Sequence, residues 1–285
     1  MPDPELPDSG PLLSAHGVSV PRLLYGTAWK KLQTAGLVEK ALRAGFRGVD
    51  TACQPKHYHE AGVGDGVAAC LNHTLRRENL YLQTKFTPLS GQDPKKVPYD
   101  PRASLADQVL QSFTRSLLNL QTDYVDCLVL HSPLRNPQMR TVWEAMERIV
   151  DSGQVKQLGI SNCYSLELLE SLYASVRVKP AVLQNRFYAE TGYDRELRSF
   201  CGQHAIIYQS FWTLTANPHI LAGAAVQTLA GKYQRTPAQV LFRYLLQRQV
   251  VPLTGTRSEL HMREDMNVFE FNLTADECTS LDAWF

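Results

Sequence analysis

Apolar and polar positions along this chain switch between two periods. Short apolar runs read as strands, and stripes repeating every 3.6 residues read as helices. The first run covers residues 23–27. A stripe of Leu37, Val38, Ala41 and Leu42 follows, with Thr34 as the expected helix cap. Residues 46–51 read as the next strand, before a small-residue helix around residues 61–71. A strand over 80–85 leads into a loop rich in Pro, Lys and Asp. Beyond that loop, Leu105, Val109, Phe113, Leu117 and Leu120 mark one face of a long helix. Strands over 124–130, 155–160, 181–184, 206–210 and 250–253 continue the pattern. Helices over 139–150, from Leu166 behind a capping Ser165, near 194–201, and from about Ser258 lie among them. Thr236-Pro237-Ala238-Gln239 and the stretch from Thr274 to Glu277 are capping boxes that start two more helices.

Strands that alternate with helices are parallel, because each crossover returns the chain to the same edge. About eight such units predict a (β/α)8 barrel, one domain over residues 1–285. An open doubly wound sheet is the alternative, and it needs a Gly-rich phosphate loop after a strand. Gly62-Val63-Gly64-Asp65-Gly66 comes nearest and lacks the required spacing.

Three strand-like runs end in chemically active residues. Residues 48–49 run into Asp50, residues 80–84 into Lys85, and residues 124–130 into His131. In a barrel those ends open onto one face. Singly, each has an ordinary explanation: a turn-forming aspartate, a lysine reaching for water, a core histidine. Together with Tyr58 they suit carbonyl reduction. A carbonyl that receives a hydride becomes an alkoxide and needs a proton. A phenol supplies one more readily when a nearby ammonium lowers its pKa. A carboxylate keeps that ammonium charged, and an imidazole polarises the carbonyl oxygen. Tyr58, Lys85, Asp50 and His131 fit these roles in that order.

The formal net charge of +1 gives no clustered cations for phosphate neutralisation, which argues against a nucleic-acid partner. Six scattered cysteines with no C-x-x-C pair argue against a metal site or a thioredoxin-like motif. Residues 1–10 have neither a basic region nor an apolar run, so a signal peptide is not expected. No run approaches the roughly 20 apolar residues of a membrane span, and a cytoplasmic location is expected.

Gly26-Thr27-Ala28-Trp29, Val49-Asp50-Thr51-Ala52, Thr84-Lys85, Leu130-His131-Ser132, Gly159-Ile160-Ser161-Asn162, Leu183-Gln184 and the stretch from Thr254 through Asp265 occur in order. In this ordered set the chain resembles the aldo-keto reductase family over nearly its whole length. The resemblance implies a single barrel, NADPH as hydride donor, no metal, and an Asp-Tyr-Lys-His tetrad at Asp50, Tyr58, Lys85 and His131. It implies that Gly26 and Thr27 border the cofactor and that Ser161, Asn162 and Gln184 hold the nicotinamide carboxamide. Phe211 is expected under the ring, with Gly255, Arg257, His261, Glu264 and Asp265 at the adenosine end. Arg257 is the expected phosphate ligand. Trp29, Phe86 and Trp212 are expected to line the mouth for a small carbonyl substrate.

The sequence also departs from the family. The tyrosine usually falls about five residues after the aspartate, where Pro55 stands here, so the loop to Tyr58 is longer. His57 and His59 are alternative proton donors. Asp265 replaces a usual Asn, and Asn185 and Arg186 replace other common residues. The sequence ends at Phe285, where many relatives have a further loop, so an open pocket is expected. Nothing forces assembly, and a monomer is expected. Two other functions remain open: a weakly catalytic or non-catalytic NADPH-binding regulatory subunit or redox sensor, motivated by the shifted tyrosine, and a Schiff-base aldolase using Lys85.

Overall fold

The computed structural model describes residues 10–285; the stretch read above for a signal peptide lies almost wholly outside them. A two-stranded hairpin comes first, β1 (Leu12–Leu13) against β2 (Ser19–Val20). Eight parallel strands follow: β3 (Leu24–Gly26), β4 (Gly48–Asp50), β5 (Tyr81–Phe86), β6 (Cys127–Leu130), β7 (Leu158–Ser161), β8 (Pro180–Arg186), β9 (Ile207–Phe211) and β10 (Val251–Thr254). They pair in sequence order, and β10 closes onto β3 through Leu253 opposite Leu24. The barrel expected from the alternation is therefore the barrel observed.

Helices α1 (Thr34–Arg43), α2 (Glu60–Ala68), α3 (Leu105–Leu120), α4 (Gln138–Asp151), α5 (Leu166–Ser175) and α6 (Arg195–Gln203) each follow a strand. Then α7 (Pro218–Ala222), α8 (Ala224–Tyr233) and α9 (Pro237–Gln247) fill one long crossover. Helices α10 (Glu259–Met266) and α11 (Ala275–Asp282) end the described chain. The hairpin, α7 and α8 were not legible as elements. Ser165, Thr236, Ser258 and Thr274 all accept from the backbone N–H three residues on, as N-caps do. Thr34 does not. It is the first helical residue, and its hydroxyl donates to the Lys31 carbonyl in the preceding 3-10 turn.

Two apolar layers hold the barrel. Outward side chains such as Leu82, Leu128, Leu158 and Leu183 pack under the helices against Trp143, Phe113 and Leu169. Inward side chains near the amino ends, including Leu24, Tyr81, Val182 and Ile207, form a second cluster with Val18 and Val20 of the hairpin region. The hairpin thus plugs the floor. Along β5, β8 and β9 the residues two places further on are Gln83, Gln184 and Gln209. All three are buried, and the next alternate residues are Lys85, Arg186 and Phe211. Polarity rises from floor to mouth because alternate strand residues share a face. The carboxyl end is where chemistry can be placed.

Candidate active site

Asp50 ends β4 and Lys85 lies one residue before the end of β5, both almost completely buried. The Lys85 ammonium donates to Asp50 Oδ1 at 2.7 Å, to Oδ2 at 2.6 Å and to the Thr51 carbonyl at 2.8 Å. Burial pushes its pKa down, but Asp50 and then Tyr58 outweigh it, and the net direction is up. A buried ion pair holds its charge only when its remaining bonding capacity is met. Gln83 and Gln184 meet it here, each donating an Nε2 proton to Asp50 Oδ1, at 2.7 and 2.9 Å.

The long loop after Asp50 is built to return Tyr58 to this pair. Gln54 accepts from the backbone N–H groups of His57 and Tyr58, and its side chain is tied to the Gly91 carbonyl. The His57 carbonyl accepts from the Trp29 N–H at 2.7 Å. Glu60 anchors the start of α2 two residues later, accepting from Thr84 and Asn119. The Tyr58 ring then lies 5.2 Å from the Lys85 ammonium and 6.0 Å from the His131 ring, edge to face. Burial pushes the phenol pKa up, Lys85 pulls it down, and Asp50 pushes it up again. The net shift is upward, opposite to the lowering expected from Lys85 alone, because the ring has left water as well as gained a cation. His57 instead lies tilted against Trp29 at the rim, with ring centroids 4.0 Å apart.

His131 follows β6. Its Nδ1 is 2.6 Å from the Thr87 hydroxyl. Burial, then the charges of Lys85 and His57, lower its pKa to about 3, so the ring is neutral at physiological pH.

Ser161 ends β7 directly opposite Gln184 in register, and Asn162 follows with a left-handed φ of 55°. Gln184 gives its Nε2 protons to Asp50 and Gln209, leaving its carbonyl as an acceptor. Asn162 donates to the His131 carbonyl at 2.8 Å and to Ser161 Oγ at 3.3 Å, which frees the serine hydroxyl proton. An acceptor beside a donor, both without another partner among the described residues, is what a carboxamide needs. At the other side of the mouth, Lys30 is buried on the Gly255 carbonyl, and burial with the Arg257 charge lowers its pKa to about 8. The exposed Arg257 donates to the Trp29 carbonyl at 2.7 Å. Two neighbouring cations, neither ion-paired among the described residues, suit a phosphate.

Several expected residues sit differently. Phe86 is not at the mouth. It is 1% exposed and packs against Tyr99 under the helices, because it alternates with inward Lys85. Phe211 lies opposite Arg186, one step nearer the mouth than the level of Ser161 and Gln184; the β9 residue at that level is Gln209. Asp265 is buried and accepts from the Thr254 hydroxyl, with its pKa raised by burial to about 6. Trp29 and Trp212 do stand half-exposed at the rim. Gly26 is paired with Asp50, and the Thr27 hydroxyl donates to the Asp50 carbonyl. His261 and Glu264 lie on α10, with His261 Nδ1 3.4 Å from the Thr256 hydroxyl.

Gln83, Gln209 and Lys30 were missed. The first two were recoverable from strand alternation, since each precedes a singled-out mouth residue, Lys85 or Phe211, by two places. Lys30 gave no signal beyond its place after Trp29. Among the described residues no group of three or more His, Cys, Asp or Glu could hold a metal, and no helix is long and apolar enough to cross a membrane.

The model of the Aldo/keto reductase family matches residues 24–217 and 214–284, which include every strand of the barrel. The chain belongs to the aldo/keto reductase family. It is 28% identical to Aldo-keto reductase family 1 member A1 of Gallus gallus, over 92% of this chain and 84% of that protein. It is 29% identical to the 9,11-endoperoxide prostaglandin H2 reductase of Trypanosoma cruzi (strain CL Brener), over 94% and 88%. Among solved structures, the aldose reductase from Schistosoma japonicum superposes with a TM-score of 0.82 at 25% identity, covering 96% of this chain and 91% of that one. As an aldo/keto reductase, the chain is an oxidoreductase of a family that works with a nicotinamide cofactor on small carbonyl compounds.

Proposed function

We propose that this chain reduces aldehydes or ketones to alcohols with NADPH, and that Tyr58 donates the proton. The observation that carries the reading is the return of Tyr58, through a loop longer than usual, to the ammonium of Lys85. The bound nicotinamide would supply the hydride. Ser161, Asn162 and Gln184 have the donor and acceptor pattern for its carboxamide, and the Lys30–Arg257 pair suits its phosphates and favours the 2′-phosphorylated form.

The chain's own groups divide the remaining work. His131, neutral, accepts a hydrogen bond on Nδ1 from the Thr87 hydroxyl and presents Nε2–H to the carbonyl oxygen. Tyr58 stays protonated at rest because burial raises its pKa. As negative charge builds on the substrate oxygen, the phenol releases its proton to that oxygen. Lys85 then faces the phenolate, a charge that develops only along the reaction and so is stabilised where it counts. Asp50 keeps Lys85 charged, and the three glutamines keep Asp50 in place. A regulatory role would not require the phenol beside the ammonium, and a Schiff-base role would not pin that ammonium on both oxygens of a carboxylate.

Tyr58→Phe tests the reading. NADPH oxidation with a panel of aldehydes should fall at least about 100-fold, the lower range for loss of a general acid, while NADPH still binds. Undiminished turnover would remove Tyr58 from its role.

A further inference from the structure

Arg186 is a charged mouth residue that the proposed reduction does not use. It closes β8 one alternation above Gln184. Its guanidinium lies 4.5 Å from the centroid of Tyr188 and 4.4 Å from that of Trp212. The Arg186 Nε–H is buried and has no hydrogen-bond partner among the described residues. No carboxylate among the described residues forms an ion pair with it. Its backbone N–H is satisfied by the Tyr164 hydroxyl at 3.1 Å, and that hydroxyl also reaches Asn162 Oδ1 at 3.4 Å.

These facts combine in one direction. A cation beside aromatic rings is attracted by their faces and restricted in its rotamers. The fixed fork of a guanidinium matches the two oxygens of a carboxylate. A cation without an acidic partner, held this way at the end of a site strand, is preorganised for an anion that arrives with a ligand. The cofactor's phosphates already have a cation pair at β3 and β10, in Lys30 and Arg257. Arg186 stands at the ends of β8 and β9 instead, one step above the carboxamide-binding level.

We propose that Arg186 recognises a carboxylate on the substrate, so that the preferred substrates are carbonyl compounds bearing an acid group. This rests on the reductase reading above, and the Trp212 and Tyr188 rings that hold the guanidinium would flank the body of such a substrate.

The test compares 4-(hydroxymethyl)benzoate with its neutral methyl ester. Both are titrated by intrinsic tryptophan fluorescence into wild type, Arg186→Met and Arg186→Lys, each with and without NADP+. Turnover of the two corresponding aldehydes is followed in parallel. Methionine keeps an unbranched stem between the rings, and lysine keeps the charge without the fork. Wild type should bind the acid at least tenfold more tightly than the ester. R186M should abolish that preference, and R186K should keep part of it. The inference is overturned if wild type shows no preference for the acid, or if R186M retains it. It is also overturned if the R186M loss falls on NADP+ affinity, which would assign Arg186 to the cofactor. Absence of turnover of either aldehyde by wild type would overturn the reductase reading, while the binding preference would still decide the role of Arg186.

Discussion

Thr87 decides which way His131 works. A neutral imidazole has one N–H, and the partner of one nitrogen fixes the role of the other. The Thr87 hydroxyl has no hydrogen-bond partner other than His131 Nδ1 among the described residues, so donating to it leaves Nε2–H for the carbonyl. Thr87→Val keeps the shape and removes the hydroxyl. It should lower kcat about tenfold with little change in KM, and Thr87→Ser should restore most of it. Wild-type kcat should show no break near the ordinary histidine pKa of about 6.5, because the ring stays neutral down to about pH 3. The same depressed pKa makes acid destabilising: the unfolded chain takes up this proton near 6.5 and the folded chain only near 3, so stability falls across that window as pH drops. Equal kcat in T87V and wild type would show that Thr87 sets nothing. At this scale Asp50, Lys85 and His131 were legible because each closes a strand-like run in the sequence. Phe86 was misread because its neighbour in sequence is Lys85, and neighbours along a strand face opposite sides.

Helix α2 sets the position of Tyr58, because it begins at Glu60, two residues later. It is wedged between α1 and α3 by small residues. A Cβ on Gly64 would overlap the Asn119 carbonyl of α3, and one on Gly66 would come within 2.5 Å of the Ala35 carbonyl of α1. Both obstacles are backbone and cannot rotate away. Gly64→Ala should therefore destabilise by about 1–3 kcal/mol, the range for overpacking, seen as a lower urea midpoint. It should also lower turnover by displacing Tyr58. A midpoint equal to wild type would mean that α2 has room. The glycine run was legible as a feature but not as a packing device, since its reason lies in two helices that only the fold brings alongside. Thr236, Ser258 and Thr274 were readable as caps because a cap is a local bond. Thr34 failed because the 3-10 turn before α1 claims its hydroxyl. The short α7 and α8 add little apolar face of their own, with Ile220 as the one buried residue of α7.

Across the whole molecule, a floor plugged by the β1–β2 hairpin and a polar interior rising toward the mouth place Asp50, Lys85 and the glutamines around them away from the apolar floor, toward one end. The eightfold alternation was enough to read the barrel, because parallel strands with helical crossovers have few other ways to close. The charges around the mouth were only partly readable: Lys30 and Arg186 gain their meaning from strands far away in sequence. The proposed catalysis depends on a phenol whose departing proton leaves it facing Lys85. A crystal structure with NADP+ and a bound carbonyl inhibitor measures this directly. It should show the Tyr58 hydroxyl within about 3.2 Å of both Lys85 Nζ and the inhibitor's oxygen, a hydrogen-bond reach, with His131 Nε2 on the same oxygen. Tyr58 turned out of the site, with His57 or His59 on the inhibitor's oxygen in its stead, would contradict it.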